Sequence, residues 1–130
     1  MRCQNILIVE DDLDVREALE DSLTMEGYSV QVANDGKDAI AALEGTDART
    51  LVLLDLMMPT MSGWEFLDAH RASDRLSRHP VVTISAVPAT ESIEDPTPLK
   101  TSGTLSKPLD IAGVLEQVRK HCGPPQAEVA

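Results

Sequence analysis

Residues 51–59 read LVLLDLMMP: four apolar residues, one aspartate, and an apolar stretch that closes on proline. A run of Leu51 to Leu54 is too short for a helix and too apolar for a surface, so it reads as a buried strand. Asp55 stands where that strand leaves the core. A carboxylate there is costly unless something pairs with it. An aspartate that merely opens a loop would explain it alone, so a functional role requires partners supplied from elsewhere in the chain.

Working outward, the same punctuation recurs. Ile6 to Val9 is a second apolar run, and Val81 to Ile84 a third; Tyr28 to Val32 alternates as a strand does, and Leu105 with its neighbours makes a short fifth. Between them lie helical spacings. Val15, Ala18, Leu19, Ser22 and Leu23 share one face, with Gly27 as the stop. Ala39, Ile40 and Leu43 share another after the Asp35-Gly36 turn. A third helix is expected to open near Ser62, with Phe66, Leu67 and His70 on one face and Ser73-Asp74 as its end. Ile111, Val114, Leu115, Val118 and Cys122 define the last, which Gly123-Pro124-Pro125 terminates. Strand alternating with helix five times calls for a parallel sheet covered on both faces.

One interval breaks the pattern. Residues 86–103 carry Pro88, Pro96 and Pro98, and a proline costs a helix interior roughly 3 kcal/mol. An irregular, proline-rich fourth helix is expected there, helical only from about Ala89 to Glu94.

Composition narrows the function classes. The 130 residues suffice for one domain, and their 42% hydrophobic and 25% charged content is that of a soluble globular protein. With one Trp, one Tyr and one Phe, the core must be aliphatic. A formal charge of −11 with no basic stripe argues against direct nucleic-acid binding, which needs clustered Lys and Arg. Cys3 and Cys122 lie near opposite ends without metal spacing, and His70, His79 and His121 are scattered, so no zinc site is expected. No signal peptide or membrane-length apolar run is present, which makes the expected location cytoplasmic.

In open α/β sheets the ligand site lies beyond the carboxyl ends of the strands, where strand order reverses. The first strand runs into Glu10-Asp11-Asp12, the third ends at Asp55, the fourth at Ser85, and the fifth runs into Ser106-Lys107-Pro108. The topology thus delivers Glu10, Asp11, Asp55, Ser85 and Lys107 to one edge. Carboxylates about 4 Å apart near a surface repel by roughly 4 kcal/mol. A hard cation relieves this, and an all-oxygen set with room for water suits Mg²⁺. A cation, a lysine and a hydroxyl around one aspartate form a site for a phosphoryl group, which aspartate can itself accept. Taken singly each signal is weak: an acidic run often just opens a helix, and Lys-Pro is commonly a loop.

The segments ILIVEDD, LVLLDLMMPTMSG, TISA and SKP, in this order and spacing, resemble the receiver domain of bacterial two-component response regulators. The resemblance spans about residues 5–121. It implies a flavodoxin-like (βα)5 fold with a doubly wound five-stranded parallel sheet, a receiver domain over residues 1–122 and a flexible tail over 123–130. By the same resemblance Asp55 is the phosphoacceptor. Glu10, Asp11, Asp55 and the Met57 backbone carbonyl hold Mg²⁺, Ser85 is the switch hydroxyl and Lys107 the active-site lysine. Pro59 and Gly63 match the loop after the acceptor. The implied donor is a histidine kinase or histidine phosphotransfer protein, and the output is contact with a downstream protein target, without nucleic acid or membrane insertion. Such a domain is a signalling element, not an enzyme.

Thr104 departs from the family pattern, standing three residues before Lys107 where a Tyr or Phe is usual. An aspartyl-phosphate phosphatase of the haloacid-dehalogenase kind would carry a second Asp two residues after the nucleophile, where this chain has Met57. A receiver excised from a hybrid kinase or larger regulator is compatible with the same motifs.

Overall fold

The computed structural model describes residues 5–46, 48–55, 63–85, 103–106 and 110–123, without the side chains of 63, 64, 85, 103, 104 and 106. In chain order the elements are β1 (Asn5–Val9), α1 (Leu13–Met25), β2 (Val30–Ala33), α2 (Gly36–Glu44) and β3 (Thr50–Asp55). There follow α3 (Gly63–Ala72), α4 (Asp74–Ser77), β4 (Val81–Ser85), β5 (Gly103–Ser106) and α5 (Ile111–Cys122). All strand pairs are parallel, in the order β2-β1-β3-β4-β5. After β2 the chain crosses back over β1 to lay down β3, so the order reverses between β1, which leads into Glu10, and β3, which ends at Asp55.

The alternation of side chains along the strands builds two cores. One sheet face presents Ile6, Ile8, Leu51, Leu53, Val82 and Ile84 to Leu19 and Leu23 of α1 and to Val114, Val118 and Cys122 of α5. The other presents Leu7, Val9, Val52, Leu54 and Val81 to Ala39 and Leu43 of α2, Phe66 and Leu67 of α3, and Leu76 of α4. Burying both faces explains why β1 and β3 are continuous apolar runs rather than alternating ones. Each fully buried Leu or Ile contributes about 1.5–3 kcal/mol relative to exposure. This is the doubly wound fold the sequence implied.

Helix starts follow side-chain capping. Asp35 accepts from the Asp38 N–H at 2.9 Å, and Asp110 from the Ala112 N–H at 3.2 Å. At its other end α1 stops before Gly27, whose φ of 97° is a conformation costly for any residue with a Cβ.

Two elements differ from the sequence expectation. β2 begins at Val30 rather than Tyr28, because the Tyr28 N–H returns to the Leu23 carbonyl at the end of α1 and its ring joins the α1–α5 core. Val32 is partly exposed because β2 is an edge strand. Ser73 closes α3 but also caps a further turn of helix: its Oγ accepts from the Leu76 N–H at 3.2 Å, and Leu76 is buried against the second core. The expected proline-rich helix falls outside the described residues, as do Met57, Pro59, Lys107 and residues 124–130.

Candidate functional site

Adjacent central strands bring the acidic residues together. Val9 pairs with Leu54, so Glu10 and Asp55 follow side by side at the carboxyl edge. Both are almost fully buried, whereas Asp11 is exposed. Carboxylate oxygens of Glu10, Asp11 and Asp55 lie within 4.8 Å of one another. At that spacing the buried pair Glu10 and Asp55 repels by several kcal/mol at an effective dielectric near 20, and the exposed, screened Asp11 adds less. The donor set is oxygen only, one side of it is open through Asp11, and its charge is negative. These are the properties of a site for a hard divalent cation that keeps part of its water.

The acidic run is divided by the demands of α1. Asp12 is committed to the helix, its Oδ1 accepting from Asp14 N–H at 3.0 Å and from Val15 N–H at 3.4 Å. Glu10 is oriented by the Asp12 N–H, which donates to its Oε1 at 3.1 Å. The Glu10 N–H donates to the Ala33 carbonyl at the end of β2, 3.3 Å away. Arg16 completes the surroundings, donating from one guanidinium nitrogen to the Glu10 backbone carbonyl and to Asn34 Oδ1. Neither Arg16 nor Asn34 was expected from the sequence, since their partnership spans eighteen residues and no local spacing announces it.

Of the other expected site residues, Ser85 closes β4, next to β3, and its backbone pairs in register with Ser106 of β5. The end of β3 at Asp55 and the end of β5, which precedes Lys107 in sequence, therefore share this edge. The Ser85 side chain, Lys107 and the Met57 carbonyl lie outside the described atoms.

His79 and His70 belong to the opposite, amino edge. His79, fully buried, accepts the Thr50 N–H at Nδ1. Burial lowers its pKa from 6.5 to about 4, helped by the positive charges of Arg78, His70 and Arg49. His70 stacks on Phe66 and donates from Nε2 to the His79 carbonyl at 2.7 Å, which is the packed helix role expected of it.

No helix among the described residues is long and apolar enough to cross a membrane.

Comparison with known proteins agrees with this architecture. The family model described as "Response regulator receiver domain" matches residues 6–119. The chain is 36% identical over 123 residues to the transcriptional regulatory protein YkoG of Bacillus subtilis, covering 88% of this chain and 49% of that protein. It is 31% identical over 116 residues to the transcriptional regulatory protein PcoR of Escherichia coli, covering 89% of this chain and 50% of that protein. The chain thus spans about half the length of these relatives. A response regulator receiver protein from Pseudomonas putida superposes with a TM-score of 0.80 at 29% identity, over 92% of this chain and 98% of that one. The receiver domain of the sensor histidine kinase PA1611 from Pseudomonas aeruginosa, solved with a magnesium ion in its active-site cleft, shares the fold. Its TM-score is 0.80 at 24% identity, over 92% of this chain and 97% of that one. On its strand order, its acidic edge and the family match over residues 6–119, this chain belongs to the response regulator receiver domain family.

Proposed function

We propose that Asp55 accepts a phosphoryl group from a phosphohistidine on a histidine kinase or histidine phosphotransfer protein. The observation that carries this is the three-carboxylate cluster at the reversal of strand order, with Asp55 buried at its inner end. An Asp55 carboxylate oxygen attacks phosphorus, the P–N bond of the phosphohistidine breaks, and its electron pair stays on the imidazole nitrogen, which then takes a proton from water. The product is an acyl phosphate. Glu10, Asp11, Asp55 and the Met57 carbonyl are the residues that would hold Mg²⁺, and the oxygen-only set within 4.8 Å fits that ion. When bound, Mg²⁺ supplies neutralising charge to the phosphoryl oxygens.

This chain's own groups do the rest. The burial of Asp55 beside Glu10 keeps the acceptor largely out of bulk water. Lys107 supplies a fixed positive charge to the phosphoryl oxygens, and the Ser85 hydroxyl donates a hydrogen bond to them. The new charge and acceptor oxygens bias a two-state surface through those partners. The output proposed for this domain is contact with a downstream protein, which a net charge of −11 favours over direct contact with nucleic acid.

Incubation with a small-molecule phosphodonor and Mg²⁺ tests this. A base-labile phosphate is expected on Asp55 and none in Asp55→Asn. Full incorporation in that variant would place the acceptor elsewhere.

A further inference from the structure

Arg16 lies outside the carboxylate cluster yet holds the two loops that shape it. It projects from the first turn of α1, half-buried, and its guanidinium reaches past the helix to the carboxyl edge of the sheet. One nitrogen donates to the Glu10 backbone carbonyl at 3.4 Å and to Asn34 Oδ1. Glu10 is the first residue after β1, and Asn34 the first residue after β2. A second bond joins these segments, from the Glu10 N–H to the Ala33 carbonyl at the end of β2, 3.3 Å away. The Glu10 peptide is therefore held at both ends, its N–H by β2 and its carbonyl by Arg16. Its side chain is held by the Asp12 N–H.

We infer that Arg16, braced by Asn34, is a positioning residue that sets Glu10 and Asp11 at the geometry a divalent cation needs. The inference rests on the metal and phosphoryl site proposed above, whose two acid-pocket carboxylates sit on the peptide units that Arg16 grips. The planar guanidinium suits the task because it serves two acceptors at a fixed angle, whereas a lysine ammonium is a flexible point charge. Groups that orient metal ligands without touching the metal typically alter affinity by about 10–100-fold when removed.

Geometry and charge act in opposite directions here, so the two are separable. Arg16 is a cation near an acidic site. Its charge alone repels a second cation, and removing it would tighten Mg²⁺ binding. Its grip on Glu10 orients ligands, and removing that would weaken binding.

Mg²⁺ affinity is measured by isothermal titration calorimetry on the chain and on Arg16→Ala, Arg16→Lys and Asn34→Ala, each shown to be folded by its thermal melt in EDTA. The clamp requires weaker Mg²⁺ binding, by about tenfold, in both Arg16→Ala and Arg16→Lys. It requires a smaller loss in the same direction in Asn34→Ala, which leaves the charge untouched, and a double variant Arg16→Ala/Asn34→Ala no weaker than Arg16→Ala. Tighter binding in Arg16→Ala, or wild-type affinity in Arg16→Lys, would assign Arg16 a purely electrostatic effect and overturn the inference. Absence of Mg²⁺ binding in the unmodified chain would instead remove the site itself, and the clamp with it.

Discussion

Nδ1 of His79 accepts the backbone N–H of Thr50 at 3.0 Å, so a fully buried imidazole ties the approach to β4 to the first residue of β3. The ring must be neutral at Nδ1 to accept. Protonation would set two N–H groups against each other, next to the positive charges of Arg78, His70 and Arg49.

That bond predicts a pH dependence. The folded pKa of His79 is about 4 against 6.5 for the free side chain, so between these values the unfolded chain binds a proton that the folded one does not. Stability from this group is therefore complete above about pH 6.5 and is lost as pH falls from 6.5 to 4. Urea unfolding at pH 7 and pH 5 should show the unmodified chain losing about 2 kcal/mol more than His79→Gln across that interval. Equal losses in both would show that His79 is not the group responsible.

Asp55→Asn should melt higher than the unmodified chain in EDTA, since it removes one buried member of a like-charged cluster, and the gain is roughly 1–4 kcal/mol. Thermal melts decide the matter. A lower melting temperature would mean that Asp55's own bonds outweigh the repulsion.

Asp11→Ala should lose the stabilisation by Mg²⁺ that the unmodified chain gains. Because Asp11 is exposed and screened, its removal raises metal-free stability by only about 1 kcal/mol or less. An unchanged rise in melting temperature with Mg²⁺ in this variant would exclude Asp11 as a ligand.

Tyr28→Phe should cost about 1 kcal/mol, because the hydroxyl donates to the Gly123 carbonyl at 2.9 Å and that carbonyl lies just past the end of α5. The denaturant midpoint should fall with an unchanged slope. Hydrogen exchange should rise at the carboxyl end of α5; a uniform rise across the domain would point to a general packing defect instead.

Much of this molecule was legible as a string. The short, uniformly apolar runs of β1 and β3, the period near four in α1 and α5, and the turn at Asp35-Gly36 are local properties, decided by neighbours within one or two turns of chain. So was the placement of Glu10, Asp11, Asp55 and Ser85 at strand ends, because right-handed crossovers leave few ways to order five parallel strands. The family resemblance implied roles for those residues that their spacing alone does not.

The tertiary structure decided what depends on contacts distant in sequence. Nothing local distinguishes Asp11 from Asp12, yet one joins the cluster and the other caps α1, because the first helical N–H groups require an acceptor. Ser73 reads equally well as an end or a beginning, and buried Leu76 makes it both. Tyr28 continues the alternation of β2 but is claimed by the core between α1 and α5. Arg16 meets Asn34, and His79 meets Thr50, only once the sheet sets β2 beside β1 and β4 beside β3. Periodicity encodes which face of an element is buried; the partner on that face is chosen by the order of the strands.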